Sequence, residues 1–414
     1  MPREQLIAAV DIGATKVCAL LAEVSASGEF GVLGVGVCSS GGVHNGVVAN
    51  MSATVEAISA AVGEVEASCR RHMPAAYVSI SGSHIYSQNS RGLTTLDRNG
   101  QIVRPVDIQR VLDSAAEAAV PADHEVIHVV PCGYSIDGQD GIQDSLGMAG
   151  RQLEVEAHVV SGPISSVQNL ARCVQQSGVK LEHLVLQSVA SAEATTTESE
   201  RQVGVVVIDI GGRTTDVAIY LDGALRHTFV VPLGGRSVTS DITKLLHLSV
   251  SEAERLKITF GHALPQSVRD LALVRVPGFE RSEEQRVCRE HLAEIVAARL
   301  DQILSMVAEE LDQRECLDLL GAGAVITGGV ADQRGLRELA EDVLAMPVRT
   351  GQPQGVDRLG KHLAAPAFAT GVGLLLWGSR RIRLQSRQAT ASRLPGGASS
   401  WGEHIRRFFR AFFP

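Results

Sequence analysis

Val206-Val207-Ile208-Asp209-Ile210-Gly211-Gly212-Arg213-Thr214-Thr215-Asp216 decides the fold, because the chain has an earlier counterpart in Ala8-Ala9-Val10-Asp11-Ile12-Gly13-Ala14-Thr15-Lys16. Each copy is an apolar, largely β-branched run ending in Asp, then Gly, then a small hydroxyl residue. A second apolar run follows, Val17 to Leu21 in one copy and Val217 to Leu221 in the other. A buried strand carries a carboxylate to its end, glycine lets the backbone approach a ligand, and the next strand returns antiparallel. Backbone N–H groups around such a turn make an anion-binding concavity, and the carboxylate suits a hydrated Mg²⁺. One copy alone reads equally well as a plain turn between core strands. Two copies, far apart in sequence, predict two halves gripping one polyphosphate from both sides.

The 414 residues exceed one core and suit two large lobes with insertions. A hydrophobic fraction of 45% and a charged fraction of 20% describe an ordinary globular chain. The apolar stretch Phe368 to Trp377 is too short to span a bilayer, and Met1-Pro2-Arg3-Glu4-Gln5 does not read as a signal peptide. Seven scattered cysteines without a Cys-x-x-Cys pair fit reduced thiols in a cytosol. From residue 376 onward eight arginines face one acid, Glu403, so this end carries +7 while the rest carries −15. The acidic body argues against nucleic acid as a partner, and the basic end points to something anionic.

Strand and helix signals alternate through the body, which predicts an α/β fold with helices on both sheet faces. Helices are expected over Met51–Arg71, Val106–Ala119, Ile164–Gln176, Gln285–Leu311 and Leu336–Leu344, with Phe368–Trp377 as the last helix of the body. Between Ser83 and Ser161 polar alternating strands (His124 to Val130, Glu154 to Val160) flank one helix, the pattern of an inserted α+β subdomain. The expected division is a first lobe over 1–83 with 162–195 and 364–384, and an insert over 84–161. The second-lobe core is 196–240 with 318–363, carrying a helical appendage over 241–317. A Ser/Gly/Ala-rich linker over 385–400, about 20–24 Å end to end as a coil, leads to an amphipathic helix over 401–414.

Gly234-Gly235 and Ile326-Thr327-Gly328-Gly329 complete an ordered set: phosphate turn, connecting helix, phosphate turn, adenosine strand ending in Gly-Gly. This resembles the actin-like ATPase superfamily, whose fold is two-lobed α/β. The resemblance implies ATP and Mg²⁺ as ligands, with Asp11 and Asp209 positioning the metal through water. It implies phosphate contacts from Gly13, Ala14, Thr15, Lys16, Gly211, Gly212 and Thr214. Glu254 and Lys257 would face ribose or base, and Gly235, Gly328 and Gly329 would pack near the nucleotide. Arg213 stands where a third Gly is usual, its side chain either reaching phosphate or swinging to solvent. Gln187 occupies the position of the water-orienting residue, paired in the catalytic role with Asp209. An amide orients water but is a poor base, so at most a slow ATPase is expected; an ordinary strand-end residue is the alternative.

His124-Glu125-Val126-Ile127-His128 matches the zinc-protease pattern, which requires a helix to bring both imidazoles to one metal. The β-branched, Pro-terminated flank favours a strand, on which the rings would sit about 13 Å apart.

In the last fourteen residues Trp401, Ile405, Phe408, Phe409, Phe412 and Phe413 fall on one helical arc of roughly 140°. Arg406, Arg407 and Arg410 lie on the other side. Such a helix is built to lie in a membrane interface against anionic lipid; docking onto its own body or a partner groove is the alternative.

Actin-like body, α+β insert, linker and amphipathic end together resemble the FtsA family of bacterial cell-division proteins. Val78-Ser79-Ile80-Ser81-Gly82-Ser83-His84-Ile85 and Gly371-Val372-Gly373-Leu374-Leu375 carry the likeness, and Val43-His44-Asn45-Gly46, where a Lys is more usual, departs from it. The resemblance implies a peripheral protein on the cytoplasmic face of the inner membrane at the division septum. It also implies self-assembly into filaments, docking of the FtsZ C-terminal peptide on the helical appendage near Arg299, and later division proteins recruited through the insert. Arg299 reads equally as an exposed helix arginine. A pilus or secretion assembly protein and a small-molecule kinase of the same superfamily are the other readings.

Overall fold

The computed structural model describes residues 5–24, 30–96, 102–268, 273–277, 284–355 and 363–391. The repeated hairpin seeds two five-stranded sheets of the same design. In the first, the antiparallel meander Gln5–Ile12, Lys16–Val24, Phe30–Ser39 is extended beside its first strand by parallel Ala76–Ile80 and Leu181–Leu186. In the second, the meander Val205–Ile210, Thr215–Leu221, Ala224–Val231 is extended likewise by Ala324–Thr327 and Val348–Thr350. Each meander's first strand lies mid-sheet beneath helices on both faces, which is why Val205–Ile210 is buried at every position.

The lobes exchange helices. Gln187–Thr195 leaves the first sheet's strand Leu181–Leu186 and packs on the second sheet's Val205–Ile210 and Thr215–Leu221. Ala369–Ala391 follows the second sheet and packs on the first sheet's Gln5–Ile12, Lys16–Val24 and Ala76–Ile80. The two helices cross where Gly373 meets Ala190; a β-carbon on Gly373 would stand 1.7 Å from the Ala190 carbonyl oxygen.

Residues 86–163 build a separate four-stranded antiparallel sheet in the order Tyr86–Thr95, Gln152–Pro163, His124–Ile136, Gln139–Ile142. Helix Pro105–Ala119 covers one face over a core that includes Val111, Ala115, Leu153 and Val155. The opposite face rests on the second lobe's edge strand, Ala224–Val231. There Ser87 Oγ donates to the Thr228 carbonyl (2.7 Å), and Cys132 Sγ donates to that of Leu225 (3.2 Å). Arg226 pairs with Glu156 at 3.2 Å, and buried His158 sits between Asn89 Oδ1 (2.8 Å) and Thr228 Oγ1 (2.9 Å). Burial holds the His158 ring down to about 3, so it is neutral, with one nitrogen donating and the other accepting.

His124 and His128 lie on a strand, as their flanks require, and not on a metal-binding helix face. His128 Nε2 accepts the Leu186 N–H (3.0 Å), and the ring packs against Trp377. Two segments differ from expectation. Glu284–Cys288 is a strand paired with Leu273–Pro277, and the long helix begins only at Arg289, running to Gln313. Val276 and Val287 are buried in the second-lobe core, so sheet pairing overrides local helix propensity. The last helix continues past Trp377 to Ala391, taking the start of the 385–400 segment with it, because no Gly or Pro intervenes between Gly378 and Pro395. The amphipathic segment 401–414 lies outside the described residues, as do 392–400.

Candidate functional site

The two turns close alike. Gly13 N–H donates to the Lys16 carbonyl and Gly211 N–H to that of Thr214, both at 2.9 Å. They face each other: a β-carbon on Gly212 would lie 2.4 Å from the Thr15 methyl. Thus Gly13, Ala14, Thr15 and Lys16 stand on the first-lobe side of one cleft, and Gly211, Gly212 and Thr214 on the other. Helix Gly235–Leu246 is pinned to the second turn, Gly235 N–H donating to Gly211 O (2.9 Å) and Arg236 N–H to Gly212 O (2.7 Å). Gly328 has φ +91°, and a β-carbon there would sit 2.3 Å from Asp209 Oδ1, so only glycine passes. The space around Gly329 is open.

Three buried carboxylates form the cleft floor. Asp11 accepts from Ser79 Oγ (2.8 Å). Asp209 accepts from Ser191 Oγ, Thr370 Oγ1 (3.1 Å) and Gln187 Nε2 (3.4 Å), which places Gln187, the first residue of its helix, beside the carboxylate. Asp216 accepts from Ser81 Oγ (2.6 Å) and Thr214 Oγ1 (2.9 Å), joining the lobes. Burial pushes Asp11 up to about 6 and Asp216 up to about 7, the neighbouring Asp209 charge adding to both, and burial also raises Asp209. Lys16 eases Asp11 and Asp209, but its ammonium is itself held by the Ala367 carbonyl (2.5 Å) and lies 3.9 Å from the Phe368 ring centre. Among the described residues the carboxylates are not grouped to ligate one metal directly, but with so little compensating charge they suit a cation held through water, and the backbone N–H groups of such turns suit an anion.

Asp216 was not among the residues expected at the site. The signal was available: the tight turn sets the register that places Asp216 directly opposite Asp209, where the first hairpin pairs Asp11 with Cys18.

On the far side of the second turn Lys257 Nζ donates to Gly235 O (3.1 Å), Thr239 Oγ1 (3.0 Å) and Glu254 Oε2 (2.9 Å). Glu254, Lys257 and Gly235 therefore form one cluster. Arg213 reaches across to the first lobe, its guanidinium 2.7 Å from His44 Nε2 in an exposed contact. Arg299 lies away from the cleft on Arg289–Gln313, gripping Asp241 with two bonds of 2.6 and 3.0 Å.

The Asp216 carboxyl predicts a pH dependence. Its native value lies above the ordinary 3.8, so the native state favours the protonated form. That preference stabilises the fold below pH 4 and is lost as pH rises through about 7. Without divalent cation, the melting temperature of Asp216→Asn minus that of the wild type is expected to increase from pH 5 to pH 8. A flat difference across that range contradicts the assignment.

Among known families, the one described as cell division protein FtsA matches residues 206–373, and the SHS2 domain inserted in FtsA matches residues 82–161. Cell division protein FtsA of Pseudomonas aeruginosa is 40% identical over 91% of this chain and 90% of its own. That of Escherichia coli K12 is 33% identical over 99% and 98%, and that of Bacillus subtilis 32% over 94% and 87%. Among solved structures, the PilM-PilN type IV pilus biogenesis complex superposes with TM-score 0.64 at 17% identity, covering 90% of this chain and 98% of that one. MreB5 of Spiroplasma citri bound to AMPPNP does so with TM-score 0.57 at 13% identity, covering 94% and 100%. At such identities the likeness speaks for the fold, which is the actin-like ATPase fold.

Proposed function

The chain belongs to the FtsA family, and we propose that it is an ATP-binding filament former that ties an FtsZ polymer to the membrane at the division septum. The observation that carries this is the pair of matched Asp-Gly turns facing each other over Asp11, Asp209 and Asp216, with a carboxylate bonded across the lobes. Asp11 and Asp209 would hold Mg²⁺, and the turn residues Gly13, Ala14, Thr15, Lys16, Gly211, Gly212 and Thr214 would hold phosphate. Lys257 and Glu254 would stand on the adenosine side. When bound, Mg²⁺ offsets phosphate charge that the buried carboxylates would otherwise repel. Gln187, hydrogen-bonded to Asp209, orients water without taking its proton readily, so ATP serves chiefly as a structural ligand joining the lobes.

Among the described residues no helix is long and apolar enough to cross a membrane. Attachment is assigned to the amphipathic pattern of segment 401–414, in which Trp401, Ile405, Phe408, Phe409, Phe412 and Phe413 would meet lipid and Arg406, Arg407 and Arg410 headgroups. The FtsZ C-terminal peptide would dock on the appendage near Arg299, sharing or displacing Asp241. Later division proteins would meet the insert. The test is assembly on anionic bilayers, with and without ATP and an FtsZ tail peptide. ATP-dependent assembly on the bilayer and capture of the peptide are expected, with peptide capture weakened at least severalfold by Arg299→Ala. Assembly indifferent to ATP, or phosphotransfer from ATP to a sugar or acetate, would replace this reading with another.

A further inference from the structure

Arg213 occupies the middle of the second turn, between Gly212 and Thr214, yet its charge is delivered to the other lobe. One terminal nitrogen meets His44 Nε2 at 2.7 Å, and its Nε is buried with no acceptor. Among the described residues it forms no ion pair with a carboxylate, and neither does the nearby Arg236, whose charge bears on it. A buried guanidinium N–H without an acceptor is unfavourable, and two neighbouring cations without a carboxylate partner attract an anion. A neutral imidazole is a modest partner for a guanidinium, whereas phosphate matches its planar fork and its charge.

Direction matters too. On the reading that puts Lys257 and Glu254 on the adenosine side of the second lobe, the far end of a polyphosphate would point away from them, toward the first lobe. Arg213 is a second-lobe cation that extends to His44 of the first lobe.

We propose that Arg213 determines triphosphate specificity: held by His44 in the free protein, its guanidinium moves to the terminal phosphate of a bound nucleoside triphosphate. The cleft would thereby distinguish a triphosphate from a diphosphate. This rests on the nucleotide-binding reading above. The test is titration of wild type, Arg213→Gln, Arg213→Lys and His44→Ala with ATP and with ADP in the presence of Mg²⁺, read by calorimetry. Arg213→Gln is expected to weaken ATP binding about tenfold to a hundredfold, while ADP affinity stays within about twofold. Arg213→Lys, keeping charge without the fork, should fall between. His44→Ala should bind ATP as well as the wild type or better, since it frees the guanidinium. Equal losses for ATP and ADP, no loss in Arg213→Gln, or an equal loss in His44→Ala would overturn the proposal while leaving nucleotide binding intact. A wild type that binds neither nucleotide removes the parent reading and this one with it. Melting of the nucleotide-free variants within a few degrees of wild type checks that the fold survives.

Discussion

Removal of residues 401–414 is expected to reduce sedimentation with anionic vesicles to background, while melting temperature and nucleotide binding stay unchanged. The six apolar residues on one arc each contribute about 1.5–3 kcal/mol if fully buried, and each of the three arginines about 1 kcal/mol near an anionic surface. Against this stand partial insertion and about 1–2 kcal/mol per residue for ordering the backbone. On the proposed reading the balance would be a weak, reversible anchor in one copy and a firm one where many copies assemble. Binding should therefore steepen with ATP and protein concentration, and weaken on neutral vesicles or at high salt. A truncated chain that still sediments with vesicles ends the adaptor reading.

The second large effect is at the helix crossing. Gly373→Ala would set a methyl 1.7 Å from the Ala190 carbonyl oxygen, a backbone atom that cannot rotate away. The crossing joins the two lobes, so separating the helices disturbs both cores. A loss of about 3 kcal/mol or more is expected, read as a shifted urea midpoint or as insolubility. Gly63→Ala is the matched control. Gly63 lies within helix Met51–Cys69 with nothing within 4 Å of an added β-carbon, so the substitution should stabilise by about 0.5–1 kcal/mol. If both substitutions were neutral, the close crossing would not be real.

What could be read from the sequence was what local chemistry encodes. Asp-Gly punctuation between apolar runs gave the two sheets and the turns, because a tight hairpin needs few residues and all are adjacent. The β-branched flank of His124 and His128 gave a strand for the same reason. Helix exchange between lobes was not legible, since nothing in Gln187–Thr195 or Ala369–Ala391 says which sheet it will cover. Nor were the hydroxyls that hold the carboxylates: Ser79 and Ser81 at the end of one strand, and Ser191 and Thr370 on two helices, look like ordinary serines and threonines. The bond between Arg213 and His44 spans 169 positions, so each departure from the family pattern reads alone as an oddity. Glu284–Cys288 misled because a short strand abutting a long helix shares that helix's periodicity until a partner strand claims it.

The insert leaves and rejoins the chain through the first lobe, yet it is bonded to the second through His158, Ser87, Cys132 and Glu156. Because His128 also ties the insert to Leu186 of the first lobe, a rotation between the lobes must strain those bonds or tilt the insert sheet. Its longest strands, 12 and 13 residues, span about 40 Å, so the sheet acts as a lever arm whose outer rim travels farthest. A protein seated on that rim would feel the angle of a cleft it never touches.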